Sequence, residues 1–238
     1  MAQRCRALLG LLLCACLLPA SSLQSVDCVG LPNLVIDAIS ILSSISVTTA
    51  SFNATGCAVV EGSVNAPGLR KLLNFESAIA NLGAADLVLG NPTTALDLFT
   101  YAPCHNHYHF QGYALYQIFK YNPLTWTVSS PVATGHKQGF CVEDVKRVNP
   151  YQANPTPYDC AFQGLTAGFA DVYSKGTSGQ WVDVTDLPRG RYWLRVVINP
   201  YNTQAHHNPL YAPQSAAAKK LQECSYADNT ASVPFWIV

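Results

Sequence analysis

An all-β, sandwich-like single domain with long irregular loops, stapled by disulfides, is what the sequence predicts. Three observations carry that expectation. Short runs rich in Val, Ile and Thr alternate with turn residues, and 15 Gly and 15 Pro stand against a single Met. Such a composition leans towards strands joined by many turns. Arg191 to Asn199 alternates cleanly, with Tyr192, Leu194, Val196 and Ile198 at every second position, the period of a half-buried strand. Finally, Cys28, Cys57, Cys104, Cys141, Cys160 and Cys224 all follow an N-terminal segment with the pattern of a secretory signal.

That segment is set aside first. Arg4 and Arg6 precede the apolar run Ala7 to Ala20, and the small residues Ser21 and Ser22 follow it. This is the arrangement of a cleaved signal peptide over residues 1–22, which leaves 23–238 as the domain. The run is shorter than the roughly 20 residues a membrane span needs, and no later stretch reaches that length. A secreted, extracellular protein without a membrane span is expected, and it is expected to act as a monomer. An even number of cysteines in an oxidising compartment suggests three disulfides, although the residues alone do not choose among the possible pairings. No Cys-x-x-Cys pair is present, which argues against a zinc ribbon or finger. The net charge is zero and only 12% of residues are charged, so nucleic acid and anionic membranes are set aside as partners. Asn53-Ala54-Thr55 is an N-glycosylation sequon and belongs on an exposed loop.

In chain order, Gly30 to Asp37 reads as a loop entering a strand. Ile39 to Ser51, which alternates apolar with small polar residues, reads as one or two half-buried strands. Gly56 to Val64 reads as a further short strand. Leu69 to Leu82 fits a helical period and a bulged alternation equally well, and periodicity alone does not decide. Ala85 to Leu89 and Ala95 to Thr100 lead into a histidine-rich strand, and Tyr113 to Phe119 reads as its continuation. Trp126-Thr127-Val128 is a candidate partner strand. Gln138 to Val142 and Gln180 to Val184 are extended, and Asn149 to Asp159, with its prolines, is irregular. Leu187-Pro188-Arg189-Gly190 marks a turn, Ala205 to Glu223 a loop, and Val233 to Val238 a closing strand.

The chemistry centres on Cys104-His105-Asn106-His107-Tyr108-His109. Histidines at i, i+2 and i+4 of a strand leave one face, with Asn106 and Tyr108 on the other. Imidazole suits Cu, Zn, Fe and Ni. Three such ligands leave positions open, as catalytic metal sites do. At this level zinc and copper stand equally, and three histidines on an exposed strand with no metal are the plain alternative. A hydrolase using a metal-bound water is compatible with the pattern, and so is a non-catalytic secreted domain that binds metal or glycan. His206-His207 offers a second metal site as one reading, but neighbours in a chain are expected to point apart, and a solvated loop is the reading preferred.

A family resemblance narrows this. The stretch Cys104 to His109 resembles the Cys-His-x-His-Tyr-His copper motif of the lysyl oxidases. Gly135-His136-Lys137 resembles the segment of that family whose lysine enters the cofactor. Cys160 with Gln163-Gly164-Leu165, then Asp171-Val172-Tyr173, resembles the segment carrying the cofactor tyrosine, and Gln180 to Asp186 and Gly190 to Asn199 follow in the same order. The opening Gly30 to Val35 is similar as well, so the likeness runs over about Leu31 to Val238.

The resemblance implies copper on His105, His107 and His109. It also implies that Lys137 and Tyr173 crosslink into lysyl tyrosylquinone. The implied reaction oxidises a primary amine, such as a protein lysine, to an aldehyde, with dioxygen consumed and ammonia and hydrogen peroxide released. It further implies the disulfides Cys57–Cys104 and Cys141–Cys160, with Cys28–Cys224 left over, each contributing roughly 2–4 kcal/mol. A calcium site is implied at Asn33, Leu34, Glu223, Ser225, Asp228 and Asn229, whose oxygens suit that ion. Glu143 is one acidic candidate for the general base, without geometric support. Tyr101-Ala102-Pro103 before the motif and Leu115-Tyr116 after it depart from common family residues, which bears on substrate handling more than on copper, and Phe169 or Ala170 stands where the family commonly has a cysteine, so one family disulfide is not expected. No propeptide or scavenger-receptor region is expected, so no matrix address is implied.

Overall fold

The computed structural model describes residues 29–121, 130–135, 139–153, 157–200 and 221–238. The first half runs β1 (Leu34–Ile36), α1 (Ala38–Ser44), β2 (Ser46–Phe52), α2 (Cys57–Val60), β3 (Gly68–Asn74), β4 (Ser77–Asn81), β5 (Leu87–Gly90), β6 (Phe99–Ala102), β7 (His107–Gln111) and β8 (Ala114–Lys120). The second half runs β9 (Ala133–Thr134), β10 (Gly139–Phe140), β11 (Lys146–Arg147), β12 (Gln163–Leu165), β13 (Phe169–Tyr173), β14 (Trp181–Asp183), β15 (Gly190–Ile198) and β16 (Thr230–Ile237). The expected signal segment, Cys28, Trp126 to Val128, His136, Lys137 and His206-His207 lie outside the described residues.

Antiparallel sheets make the domain. Their strand orders are β1-β4-β13-β11, β10-β7-β6, β12-β5, β14-β3-β2 and β16-β15-β8-β9. One hydrophobic cluster runs through them, from Leu34 and Ile36 near the start to Phe235 and Ile237 at the end. The all-β, disulfide-stapled sandwich read from the sequence is the fold observed. β15 occupies the centre of its sheet, where Leu194 lies opposite Ile118 on one side and Val233 on the other. Its inward residues Tyr192, Leu194, Val196 and Ile198 are all buried, as their alternation requires.

Several local expectations are corrected. Ile39 to Ser51 is not all strand, because Asp37 caps α1: its carboxylate accepts from the Ile39 amide at 2.8 Å. Ile39 and Leu42 then face solvent and only Ile41 of the helix is buried. The run Cys57 to Val60 is also helical rather than extended, with the Val59 and Val60 amides both bonded to the Gly56 carbonyl. A four-residue apolar run carries no usable period, so β-branched content misleads there. Leu69 to Leu82 resolves into β3 and β4. In β4 the inward positions are Ser77, Ile79 and Asn81, while Leu82 is exposed. Tyr113 to Phe119 does not continue the histidine strand. Gly112 adopts φ +73° and turns the chain into β8, which belongs to another sheet.

The burial of Asn81 in place of Leu82 has a reason. Its Oδ1 accepts from the Asn33 and Gly83 amides at 3.0 and 3.1 Å, and its Nδ2 donates to the Ala85 and Leu165 carbonyls at 2.9 and 3.0 Å. One side chain thus ties the opening loop, the turn after β4 and β12. Gly83 completes the junction, since a Cβ there would lie 2.5 Å from both the Asn33 nitrogen and the Leu31 oxygen. Asn81→Ala leaves buried amide and carbonyl groups without partners, at about 1–3 kcal/mol each. Urea unfolding should show a loss of about 3 kcal/mol or more, and a loss below about 0.5 kcal/mol would contradict this role.

Candidate metal centre and tyrosine site

β6 and β7 form a hairpin in which Ala102 lies opposite His107 and Thr100 opposite His109. Four residues, Pro103 to Asn106, connect the strands. The amides of His105 and Asn106 both bond the Ala102 carbonyl, at 3.0 and 2.9 Å. Asn106 sits in the left-handed region with φ 56°, which asparagine tolerates better than most residues. The Tyr101 hydroxyl donates to Asn106 Oδ1 at 2.6 Å and holds the loop closed.

The three histidines therefore do not all lie on one strand. His107 and His109 share a face of β7, whereas His105 belongs to the turn. The turn nevertheless folds back so that the rings converge. The His105 ring centroid lies 5.1 Å from that of His109 and 5.9 Å from that of His107, and the last two are 4.7 Å apart. The Nε2 atoms of His107 and His109 are 2.9 Å apart. Two ligand nitrogens about 2.0 Å from a common ion and roughly 90° apart would be about 2.8 Å from each other. The donor set fits a borderline transition metal, copper or zinc. The opposite face of the hairpin carries Phe99 and Phe110, buried in the core, with the Tyr101 and Tyr108 rings paired at 5.2 Å beyond them. A cleft of about 340 Å³ opens on this tyrosine face and reaches His107, lined by Pro92, Tyr101, Asn106, His107 and Tyr108 among others.

A carboxylate absent from the sequence reading meets the turn histidine. Cys57 at the start of α2 is bonded to Cys104, which anchors the hairpin loop to the helix. Glu61, one turn later, caps the helix C-terminus and sets its Oε2 3.0 Å from His105 Nε2. Residues four apart share a helix face, so the disulfide that fixes the loop also delivers the carboxylate. The spacing from Cys57 to Glu61 was a usable signal only once that stretch was known to be helical.

Tyr173 ends β13 and is buried, with its hydroxyl donating to the Cys141 carbonyl at 2.6 Å. Its ring meets that of Phe140 edge-on at 5.0 Å. Phe140 in turn lies opposite Phe110 of the histidine strand through the β10–β7 pairing. Gln163, fully buried, makes a second link: Nε2 donates to the Tyr108 carbonyl and Oε1 accepts from the Val142 amide, both at 3.0 Å. Cys141 is bonded to Cys160. Tyrosine, disulfide and histidine strand thus form one connected unit. Cys224 is also disulfide-bonded, and Cys28, the residue expected to pair with it, is not among the described residues.

The polar surroundings of Tyr173 are unusual. Asp171, on the same face of β13, is 1% exposed. Burial raises the Tyr173 hydroxyl well above its ordinary pKa, and the Asp171 charge adds to this. Burial also raises Tyr113 strongly, again helped by Asp171. Tyr116 is pushed up to about 12 by burial, with its hydrogen bonds to Ser77 and Gln180 acting against it. Glu143 lies elsewhere, beside the Cys141–Cys160 sulfurs, and its carboxyl is raised by partial burial and by Asp159.

The residues named for calcium come together. The Leu34 amide donates to Glu223 at 2.7 Å, Asn33 Nδ2 donates to Asp228 at 2.8 Å, and Asn229 Nδ2 donates to Glu223 at 2.8 Å. The Ser225 amide donates to Asn33 Oδ1 at 3.1 Å. Asp228 Oδ1 and Asn229 Oδ1 are buried there without a hydrogen-bond partner. Asn53 is exposed in the turn before α2.

Known proteins share this framework. Residues 32–228 match the family described as lysyl oxidase. Lysyl oxidase homolog 2 of Homo sapiens is 38% identical over 136 residues, covering 56% of this chain and 16% of that protein. Lysyl oxidase homolog 2 of Mus musculus is 33% identical over 180 residues, covering 71% of this chain and 22% of that protein. Lysyl oxidase homolog 4 of Homo sapiens is 36% identical over 134 residues, 56% of this chain and 17% of that protein. The chain therefore spans between 16% and 22% of the length of these relatives. With the family match running from the opening loop to Asp228, the chain belongs to the lysyl oxidase family.

Proposed function

We propose that this chain is a secreted, copper-dependent amine oxidase. It would convert primary amines, protein lysine side chains among them, to aldehydes and release ammonia and hydrogen peroxide. The observation that carries this reading is the convergence of three imidazoles on a hairpin that is tied, through Phe140 and Gln163, to the buried Tyr173. Residues 1–22 would be the cleaved signal and 23–238 the oxidase domain. Among the described residues no helix is long and apolar enough to cross a membrane.

Copper on His105, His107 and His109, with a lysyl tyrosylquinone made from Lys137 and Tyr173, supplies the redox chemistry. The chain's own residues do the rest. The hairpin turn presents His105 towards its two partners. Glu61 orients the His105 ring through Nε2, or joins the ligand set when that nitrogen binds the ion. The Cys141 carbonyl fixes the Tyr173 hydroxyl, and Phe140 fixes the ring plane. A calcium ion would satisfy the orphaned Asp228 and Asn229 oxygens and join the two ends of the domain.

Two measurements test this reading. Copper-loaded wild-type protein should yield a Lys137–Tyr173 crosslinked peptide by mass spectrometry and release peroxide from a primary amine. Tyr173→Phe should keep its copper and do neither. Copper-loaded wild-type protein that yields only separate peptides would leave a quinone-free metal protein instead. Glu61→Gln should weaken copper about 10- to 100-fold in competition with a chelator, with the Cys57–Cys104 bond intact. Unchanged affinity would show that Glu61 plays no part at the centre.

A further inference from the structure

A strand at the end of a sheet presents a row of unpaired N–H and C=O groups, which is a template for pairing with another chain. Most terminal strands of this fold are too short to serve as one. β1, β12 and β14 have three residues, β5 and β6 four, and β9, β10 and β11 two. β16 has eight residues but carries Pro234, which offers no N–H. β2 is different. It runs for seven residues at the outer end of the β14-β3-β2 sheet. Its register with β3 is unbroken from Ser46 opposite Asn74 to Phe52 opposite Gly68, so no bulge twists the edge away. Among the described residues its backbone bonds to no other element. Ser46 to Phe52 holds no charge and no proline, and Val47, Thr48, Thr49 and Ser51 are exposed. High β propensity without charge is the composition that self-pairs. With a net charge of zero, repulsion between copies gives no general protection either.

The residues that follow β2 are Asn53-Ala54-Thr55, all three exposed. The Gly56 amide donates to the Asn53 carbonyl at 2.9 Å and closes them into a turn. This is the chain's single sequon, because proline bars Asn91-Pro92-Thr93 and Asn154-Pro155-Thr156. The one site open to N-glycosylation thus stands at the end of the one long terminal strand, among the described residues, that lacks charge, proline and bulge. We propose that Asn53 carries an N-linked oligosaccharide and that this group keeps the β2 edge from pairing with a second copy of the chain. This rests on the reading of residues 1–22 as a secretory signal, which brings the chain to the donor, a lipid pyrophosphate-linked oligosaccharide. In the transfer an N–H bond of Asn53 Nδ2 and the C1–O bond of the donor break and an Nδ2–C1 bond forms. The lipid pyrophosphate leaves with the proton, and nothing is oxidised or reduced. Two β2 edges paired antiparallel about Thr49 would set each chain's Asn53 opposite the other's Ile45. Two bulky, hydrated oligosaccharides would then flank the joint and hold the edges apart.

The test uses the full chain expressed in secretory cells that glycosylate, with two readouts. The first is intact mass, which should show residues 1–22 removed and an added oligosaccharide that a peptide N-glycosidase takes off. The second is molar mass in solution by light scattering. The glycoprotein should have the mass of a monomer. Thr55→Ala, and folded wild type stripped of its oligosaccharide, should each rise at least about twofold. Adding Thr49→Glu to Thr55→Ala puts a charge in the middle of the edge, opposite Lys71, and should restore the monomer. If Thr49→Glu does not fold, Ser51→Lys supplies the edge charge, and enzymatic stripping makes the comparison independent of Thr55→Ala. An unmodified Asn53 on cleaved, secreted wild type overturns the proposal and leaves the secretion reading standing. Stripped protein that stays monomeric, or association that an edge charge does not reverse, also overturns it. A chain retained in the cytosol with residues 1–22 attached removes the secretion reading and the modification together.

Discussion

The site depends on one tight connection, the loop from Pro103 to Asn106. A single carbonyl, that of Ala102, accepts both the His105 and Asn106 amides, and this forces the chain back over the hairpin. The fold-back works because Asn106 occupies the left-handed region, which is costly for most side chains. The loop is then fixed from two sides. Cys104 is bonded to Cys57, and the Tyr101 hydroxyl holds the Asn106 side chain. Without the fold-back, His105 would project along the strand axis, away from His107 and His109. With it, the His105 ring comes within 5.1 Å of His109 and 5.9 Å of His107, while its Nε2 lies on Glu61, so the ring still has to turn to share an ion with the other two.

The second requirement is that the hairpin and the tyrosine belong to one rigid unit. Among the described residues, two backbone pairs join β10 to β7, which alone would be a weak attachment. Gln163 reinforces it by bonding to both sides with opposite ends of one amide. The Cys141–Cys160 disulfide holds the end of the same segment. Burial strengthens these polar contacts and makes each one costly to leave unmade. The same low-polarity surroundings push the Tyr173 hydroxyl well above its ordinary pKa and favour the neutral phenol. The stability of this region and its reactivity thus arise from the same features: aromatic packing around Phe140, with a few polar groups placed inside it.

Much of this was legible in the sequence, for identifiable reasons. β15 was plain because strict alternation over nine residues has no helical counterpart. The histidine cluster was legible as a cluster, yet its geometry was read through strand parity, and the true cause is a turn. Parity predicts a shared face for His107 and His109 and says nothing about a residue displaced by a left-handed Asn106. Glu61 was hidden because Cys57 to Val60 looks extended, and a carboxylate four residues from a cysteine carries no message until the stretch is known to be helical. Asn81 and Gln163 were illegible in principle. Their roles lie in carbonyls and amides contributed by distant strands, which no local pattern reports.

In the proposed oxidase the turn histidine and the two strand histidines hold one and the same ion. Diffraction from copper-loaded crystals, with anomalous data collected on both sides of the copper edge, tests this directly. It should show a single copper position about 2 Å from a ring nitrogen of each of His105, His107 and His109. A copper position bound by His107 and His109 that leaves His105 on Glu61, or one away from the hairpin altogether, would contradict it.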